Sequence, residues 1–434
     1  MSIELITVIL FGGMLVLLFL GVPIVFGIGG LSAILTLFLW GPKGLYTVAS
    51  TAFGQIASMT LLAIPMFVLM ANFLVHSGTA DSLYQSLSYW LSGIRGSLAV
   101  VTVGACTALA MCGGFGPGII TMSLIAIPIM LKRSYDKSLT LGSVMAGGIL
   151  GDLIPPSIII IVYAYITRLS VGELFMAVAI PGFICSASFI TYILIRCYFN
   201  PELAPKVAEE VTWRIRWVSL KGVALPALLV LGVLGSIFLG IATPTEAAGI
   251  GALGALLCCF INRTFSWKMV RESCMDTIAI TGMVMWLMIA ANLFRVFFTS
   301  VGAQELILDL VLGLPVSPWV VFAGMQVILL ILGCFMDDFA IITICAPIFY
   351  PIAISLGFDP MWYAIVFIIN MEIGYLTPPF GWALIMVKGL APPEITTGDI
   401  WRSSPPFIAI MFLVLIIVIL FPQLTLWLPG MMRG

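Results

Sequence analysis

The stretch Leu150-Gly-Asp-Leu-Ile-Pro-Pro-Ser157 decides the fold, because two adjacent prolines interrupt a run that is otherwise apolar. Proline has no amide hydrogen to donate, so the helical hydrogen-bond ladder stops there. A related stretch, Ile373-Gly-Tyr-Leu-Thr-Pro-Pro-Phe380, follows 223 residues later. Broken backbone at membrane depth is tolerated only where protein or a watery cavity covers it, and matched breaks in two halves indicate a transporter's binding site.

The composition is that of a membrane protein. Of the 434 residues 62% are hydrophobic and 9% are charged, and the mean hydropathy is +1.21, whereas soluble domains carry about 25% charged residues. The net charge of −1 offers no basic surface for nucleic acid, and a single histidine allows neither a histidine metal cluster nor a Ser-His-Asp triad. We therefore expect a polytopic protein in a lipid bilayer, with no nucleic-acid partner and no enzymatic activity.

Landmarks along the chain recur at a nearly constant spacing. The offsets are 221 to 224 residues for Pro23 with Pro244, Gly78 with Gly302, and Asp136 with Asp359. Several offsets that agree and keep their order indicate an internal duplication. We divide the chain into a first repeat over 1–199, a cytoplasmic connector over 200–221 and a second repeat over 222–434.

Each repeat is predicted to hold a re-entrant hairpin followed by a discontinuous helix. The apolar pieces flanking Gly113-Gly-Phe-Gly-Pro-Gly118 are each too short to cross a membrane comfortably, which is typical of a hairpin. That glycine-rich segment lacks the Lys-Ser/Thr of a P-loop, so ATP is not indicated. The predicted hairpins cover 97–131 and 320–350, the predicted broken helices cover 138–167 and 361–387, and the scaffold includes a continuous span over Phe53–Val75.

Charge distribution predicts the topology. If hairpins count as no crossing, each repeat crosses five times, and an odd number inverts the second repeat. With the connector in the cytoplasm, 14 of the 18 Lys and Arg residues lie on the cytoplasmic side, as the positive-inside rule expects. The predicted fold class is therefore an all-α polytopic membrane protein of two inverted-topology repeats, with both termini on the outer side.

An interrupted helix can bind ions, because it exposes carbonyl oxygens where one half ends and N–H groups where the next begins. Carbonyl oxygens suit a dehydrated Na⁺ and helix N-termini suit a carboxylate, so one architecture binds a cation and an organic acid together. The alternative is that the breaks only kink packed helices. The candidate Na⁺ ligands are Cys112, Gly151, Ile154 and Pro156 in a first site and Gly333, Gly374, Thr377 and Phe380 in a second, and the candidate solute ligands are Gly114, Gly116, Ser157 and Asp338.

Acidic residues inside the spans are expensive and so are functional candidates. Asp152 lies at the first break, and Asp337 and Asp338 lie at the tip of the second hairpin, where a helix cap or a hydrated boundary is the structural alternative. Glu372 precedes the second break and is predicted to cap the hairpin, with proton coupling as the alternative. Glu246 follows Thr243 at a span start and is predicted to be a first-turn carboxylate.

Several local strings together resemble the large membrane subunit of tripartite ATP-independent periplasmic (TRAP) transporters. They are Gly147-Gly-Ile-Leu-Gly-Asp-Leu-Ile-Pro-Pro-Ser157, Thr243-Pro-Thr-Glu-Ala-Ala248, Leu332-Gly-Cys-Phe-Met-Asp337 and Gly374-Tyr-Leu-Thr-Pro-Pro379. The resemblance implies an elevator that imports an organic acid such as a C4-dicarboxylate or sialic acid with Na⁺. It also implies a bacterial or archaeal inner membrane, a small four-span membrane subunit and a periplasmic solute-binding protein. The family's sodium positions fall on Gly151, Ile154, Pro156, Gly333, Gly374, Thr377 and Phe380.

The tip of the first hairpin departs from the family pattern. Where the family has a serine-rich tip, this chain has Cys112-Gly-Gly-Phe115, so either backbone carbonyls replace the missing hydroxyl ligands, or the first sodium site is weak, or the solute pocket is reshaped. Two other functions stay open from the sequence. One is a stand-alone carrier or Na⁺/H⁺ antiporter that needs no binding protein, and the other is a scaffold protein whose breaks are structural only.

Overall fold

The computed structural model describes residues 1–113, 117–205 and 211–432, and this part of the chain is helical without a β-strand. In the first repeat a π-helical turn, Phe26–Gly30, precedes the second helix. The helices are α1 (Ile3–Phe19), α2 (Leu31–Trp40), α3 (Gly44–Ile56), α4 (Met59–His76), α5 (Thr79–Trp90), α6 (Ser97–Ala110), α7 (Pro117–Lys132), α8 (Lys137–Leu153), α9 (Ile158–Thr167) and α10 (Val171–Phe199).

The rest of the chain begins with a short 3₁₀ turn, Pro201–Leu203. The helices that follow are α11 (Trp213–Ser219), α12 (Lys221–Phe238), α13 (Pro244–Ile261), α14 (Trp267–Ser300), α15 (Ala303–Leu312), α16 (Pro318–Gly333), α17 (Asp338–Ser355), α18 (Pro360–Leu376), α19 (Trp382–Leu390), α20 (Thr397–Ser403), α21 (Pro405–Leu420) and α22 (Gln423–Met432).

Length and hydropathy make this a polytopic membrane fold. Among the described helices seven are long and apolar enough to cross a membrane, and eight if α8 and α9, which meet at a bend of 40°, form one span. Further apolar helices, α1, α6, α16 and α18 among them, are shorter. The predicted fold class is confirmed, with a helix pair in place of each hairpin and a break at each of the two Pro-Pro pairs.

The recurring landmarks occupy equivalent structural positions in the two repeats. Gly78 and Gly302 precede α5 and α15 with φ of 75° and 78°, a conformation that glycine adopts without steric cost. Asp136 and Asp359 are the N-caps of the two helices that end in the breaks, and each accepts a backbone N–H at 2.9 Å. The duplication seen in the sequence thus preserves the residues that begin helices.

One predicted span is wrong. The continuous helix expected over Phe53–Val75 is two helices, because α3 ends at Ile56 and Ser58 takes an extended conformation (ψ 121°) before α4 begins. The equivalent part of the second repeat, α14, is a continuous helix of 34 residues. No charged residue marks the α3–α4 junction, and apolar Ala57 and Met59 flank Ser58, so the sequence pattern alone does not reveal it.

The hairpins and broken helices form the centre of the molecule. α6 and α7 pack on α8, while α16 and α17 pack on α18. The repeats meet where α8 contacts α18 and α9 contacts α17, and α4 of the first repeat also packs against α13 of the second. Every residue of α18 from Met361 to Leu376 is buried. The two breaks are therefore covered by protein on the side that faces α18.

Candidate functional site

The first break is a short extended segment between α8 and α9. Ile154 leaves the helix with ψ 126°, and its N–H still donates to the Leu150 carbonyl at 2.9 Å. The Pro155–Pro156 peptide bond is cis. Ser157 is the N-cap of α9, and its Oγ accepts the N–H of Ile160 at 3.4 Å. All residues from 151 to 157 are buried, so the predicted ligands Gly151, Ile154 and Pro156 share one enclosed segment.

Small residues allow the surrounding helices to approach this break closely. A Cβ added at Gly182 of α10 would lie 2.3 Å from the carbonyl oxygen of Leu153. A Cβ at Gly148 of α8 would lie 2.0 Å from the side chain of Ile119 in α7. Close helix approach through glycine is typical of membrane interiors. Sequence reasoning missed Gly182, which is far from the break along the chain.

The tip of the first hairpin is described only in part. Cys112 is buried, and its thiol donates to the carbonyl of Ala108 at 3.5 Å. Gly113 has φ of 86°, and a Cβ there would lie 3.1 Å from the carbonyl oxygen of Phe67 in α4. The tip therefore packs against α4. The predicted solute ligands Gly114 and Gly116 lie outside the described residues.

The second break joins α18 to α19 and repeats the geometry of the first. Thr377 is extended (ψ 126°), its N–H donates to the Gly374 carbonyl at 2.9 Å, and its hydroxyl donates to the Ile373 carbonyl at 2.7 Å. The Pro378–Pro379 bond is also cis. Unlike the first break, this segment is partly open, because Pro379 and Phe380 are exposed. Thr377 is the residue whose hydroxyl lies within the break.

The second hairpin reaches this break through backbone contact. A Cβ added at Gly374 would lie 2.5 Å from the Cα of Gly333, and a Cβ at Gly333 would lie 2.8 Å from the Cα of Gly374. The structure thus brings together two residues that are predicted to share a sodium site. Phe380 is 56% exposed, and its ring centroid lies 5.9 Å from that of Phe335 near the hairpin tip. Gly381, which the sequence did not single out, packs close to the carbonyl oxygens of Tyr375 and Thr377.

Three of the acidic residues meet between the two breaks. Asp152, Asp338 and Glu372 are 5%, 2% and 0% exposed, and each offers a carboxylate oxygen within 4.8 Å of the others. Glu372 therefore does not cap the hairpin as predicted. Asp337 does act as a cap, because its Oδ1 accepts the N–H of Ala340 at 2.9 Å. Glu246 forms a capping box with Thr243, which confirms its first-turn role.

A separate cavity of about 630 Å³ lies between α1 and the second hairpin. Its walls are apolar and include Phe11 and Met14 of α1, Leu332 of α16 and Ile344 of α17. A cavity without polar groups offers nothing to hold the carboxylate of an organic acid. Main-chain carbonyls, hydroxyls and carboxylates are found instead at and between the two breaks.

Comparison with known proteins now identifies the family. The family model described as "Tripartite ATP-independent periplasmic transporter, DctM component" matches residues 11–424 of this chain. The chain belongs to the DctM family. As a DctM-family permease it is a transporter subunit, which is not an enzyme, and a multi-pass protein of the inner membrane. The family implies a partnership with a small membrane subunit and a periplasmic binding protein.

Relatives of this DctM-family chain align over nearly its whole length. It is 32% identical to the C4-dicarboxylate TRAP transporter large permease protein DctM of Vibrio cholerae, over 100% of this chain and 99% of that protein. It is 30% identical to the sialic acid TRAP transporter large permease protein SiaM of the same organism, over 97% and 98%. It is 31% identical to the isethionate TRAP transporter permease protein DctMQ of Oleidesulfovibrio alaskensis, over 97% of this chain and 66% of that protein.

Solved structures share the fold at low sequence identity. The YdaH transporter of Alcanivorax borkumensis, described as having an unusual topology, superposes with a TM-score of 0.64 at 16% identity over 97% of this chain and 98% of that chain. This likeness concerns the fold alone, and it agrees with a helical membrane transporter.

Proposed function

We propose that this DctM-family permease imports a small organic acid together with Na⁺. The solute class is a C4-dicarboxylate, a sialic acid or a similar carboxylate. Curated relatives are named for C4-dicarboxylate, sialic acid and isethionate, all of which are small anions. A solute-binding protein on the periplasmic side delivers the acid, and a small four-span membrane subunit completes the complex.

The observation that carries the proposal is the meeting of both helix breaks at the centre of the fold. Each break follows a helix that contacts its own hairpin, and the two broken helices contact each other. A kink that served packing alone would not require a hairpin to reach it through backbone contact, as Gly333 reaches Gly374. Carbonyl groups freed at such breaks are suited to cations, and N–H groups to anions.

The residues at the second break fit Na⁺. The Thr377 hydroxyl and the Gly374 carbonyl supply oxygen ligands from the break, and the Gly333 carbonyl supplies one from the hairpin helix that contacts it. The Gly374 carbonyl accepts one hydrogen bond from Thr377, and a carbonyl oxygen has a second lone pair for a cation. Phe380 can contribute only its main-chain carbonyl, since its side chain carries no oxygen.

The first break fits Na⁺ through main-chain oxygens. Gly151, Ile154 and Pro156 lie in one buried segment, and free carbonyls at a helix end are suited to a dehydrated ion. The Cys112 thiol is a soft sulfur group already donating to Ala108, so it is a poor ligand for a hard cation. We therefore propose that Cys112 contributes its main-chain carbonyl.

The solute is proposed to bind beside the first break. Ser157 at the start of α9 satisfies the N–H of Ile160, and the neighbouring N–H groups of that first turn suit a carboxylate. Asp338 was predicted as a solute ligand, but its position beside Asp152 and Glu372 favours contact with a cation rather than with an anion.

The proposed movement is an elevator in which the hairpins and broken helices shift as a unit across the remaining spans. Bound Na⁺ supplies positive charge next to the acid and the energy of its gradient. One elementary charge moving through 100 mV gains about 2.3 kcal/mol, so two or more sodium ions offset the unfavourable electrical step of an anion. The positive-inside count places both termini on the periplasmic side.

Uptake into proteoliposomes tests this function. The purified permease with its small subunit is assayed with a panel of organic acids, with and without a Na⁺ gradient and with and without the binding protein. We expect uptake of at least one carboxylate that requires both. Uptake that is independent of Na⁺ would refute the coupling, and uptake without any binding protein would favour the stand-alone carrier.

A further inference from the structure

The three carboxylates between the breaks have no visible counter-charge. Both oxygens of Asp338, both oxygens of Glu372 and Oδ1 of Asp152 are buried without a hydrogen-bond partner among the described residues. The charged neighbours of Asp338 are Asp152 and Asp337, and those of Glu372 are Asp338 and Asp152. No basic residue of the described chain forms an ion pair with the three carboxylates.

Such an arrangement is unfavourable while the carboxylates are ionised, so they either bind a cation or take up protons. A buried charge without a partner is strongly destabilising, and three like charges within contact distance repel one another. The fold nevertheless brings them together from three helices, α8, α17 and α18, and from both repeats. Glu372 in particular is completely buried, neither of its oxygens has a hydrogen-bond partner among the described residues, and one of them lies within the cluster.

The spacing matches the coordination shell of a calcium-sized ion. The ligand oxygens lie within 4.8 Å of one another. Three oxygens within 4.8 Å of one another share a central point that lies at most about 2.8 Å from each, close to the Ca²⁺–oxygen distance of about 2.3–2.6 Å. Mg²⁺ binds at shorter distances and keeps several waters, and it usually takes only one or two carboxylates.

We propose that Asp152, Asp338 and Glu372 form a site for a hard divalent cation of the Ca²⁺ class, which links the two repeats at the centre of the transport unit. The site is distinct from the two proposed sodium sites, because its ligands are side-chain carboxylates rather than main-chain oxygens. It also stands independently of sodium coupling, since a permease driven by another ion would contain the same cluster.

The ion has a structural consequence for the breaks. Asp152 lies next to Gly151, and Glu372 lies two residues before Gly374. A cation held by both carboxylates fixes the end of α8 relative to the end of α18. We therefore expect the metal to stabilise the packing of the two broken helices against each other and to stay bound, rather than to bind and dissociate in each transport cycle.

The test uses the purified full-length permease at constant NaCl. Thermal unfolding is followed with EDTA, Ca²⁺ or Mg²⁺, and Mn²⁺ serves as a spectroscopic substitute for Ca²⁺ in electron paramagnetic resonance and elemental analysis. We expect about one bound Mn²⁺ per chain, displaced by Ca²⁺, and a rise in Tm of about 3 °C with Ca²⁺, since a ligand that binds the folded state stabilises it.

The variant Glu372→Gln keeps the shape of the side chain and removes one charged ligand. It is expected to lose the Ca²⁺-dependent rise in Tm and to bind at least about tenfold less Mn²⁺, because a single ligand oxygen and a full charge are lost. Its Tm in EDTA should equal or exceed that of the wild type, because repulsion is relieved. Asp309→Asn, at an exposed position of α15, is the matched control and should behave as the wild type.

Three results would overturn the proposal. One is wild-type protein that binds no Mn²⁺ and shows no Ca²⁺-dependent shift. Another is metal binding that Glu372→Gln leaves unchanged. A third is a stabilisation by Na⁺, titrated separately in EDTA, that the wild type shows and the variant loses. If Glu372→Gln does not fold, the wild-type stoichiometry and the displacement of Mn²⁺ by Ca²⁺ still decide the question.

Discussion

The two proline breaks share a sequence pattern and a backbone geometry, but their surroundings differ. The first is buried over all residues from 151 to 157, whereas the second exposes Pro379 and Phe380. α10 packs against the first through Gly182, and the second hairpin packs against the second through Gly333. The duplication thus preserved the helix break, which frees main-chain groups, while the segments that pack over each break diverged. We expect ligands to exchange at the second break without rearrangement and at the first only after its cover moves.

The largest effect is expected from Gly374→Ala, which tests whether the hairpin must touch the second break. The added Cβ would lie 2.5 Å from the Cα of Gly333, and a clash with backbone cannot be relieved by rotating a side chain. Overpacking of this kind costs about 1–3 kcal/mol. We expect sodium-driven uptake in proteoliposomes to fall by roughly 10- to 100-fold.

Gly324→Ala is the control for this variant, because Gly324 lies in α16 with Gly333, the residue that Gly374 contacts, and has nothing within 4 Å of its added Cβ. Equal uptake by the two variants would show that contact between hairpin and break is not needed for transport.

The next effect concerns the cover of the first break. Gly182→Ala would place a Cβ 2.3 Å from the Leu153 carbonyl oxygen and push α10 away from the enclosed segment. We expect uptake to fall by about tenfold, from an overpacking cost near the lower end of about 1–3 kcal/mol. Gly235→Ala in α12, where the added Cβ meets open space, should leave uptake unchanged. A normal rate for Gly182→Ala would mean that the first break tolerates a looser cover.

Thr377→Ala tests how much a side-chain ligand, as opposed to the main-chain ligands, contributes to Na⁺ binding at the second break. Removal of one hydroxyl is expected to raise the Na⁺ concentration for half-maximal uptake by about 3- to 10-fold, since a hydrogen-bonding group contributes about 0.5–1.5 kcal/mol. Thr377→Ser should retain most of the affinity. Thr191→Ala removes an exposed hydroxyl that likewise donates to the carbonyl four residues earlier, and it should have no effect on sodium. An unchanged sodium titration in Thr377→Ala would exclude this hydroxyl from the site.

The smallest effect is expected from Ser157→Ala at the start of α9. Loss of this long capping bond, 3.4 Å, costs about 0.5–1 kcal/mol. If the solute also binds there, the solute KM rises by about threefold. Ser170→Ala removes a capping hydrogen bond of the same length from α10. It should therefore lower the stability of the protein by a similar amount and leave the solute KM unchanged. The same KM for both variants would restrict Ser157 to a capping role.

Local sequence was sufficient to locate the breaks and to predict the first-turn role of Glu246, and it marked Asp136 and Asp359 as recurring residues. Two adjacent prolines remove amide donors wherever they stand, and Asp136, Asp359 and Asp337 cap helices because their carboxylates accept the N–H groups of the following turn. Glu246 was identified for the same reason. These features depend on residues within one turn, so spacing along the chain reveals them.

Contacts between distant segments were beyond sequence reasoning. Asp152, Asp338 and Glu372 were each noted as costly charges, but their meeting depends on how α8, α17 and α18 pack. Gly182 owes its role to a carbonyl on another helix, and no periodicity marks it. The division of the predicted span Phe53–Val75 was missed because Ser58 interrupts the helix without interrupting hydropathy.

Equilibrium binding of radiolabelled Na⁺ to the purified permease tests the central claim most directly, with EDTA present so that divalent ions are removed. We expect saturable binding of about two ions per chain, one at each break. Thr377→Ala should weaken the Na⁺ affinity of only one of these two sites. Absence of saturable binding, or binding that Thr377→Ala and Gly374→Ala both leave unchanged, would contradict the account.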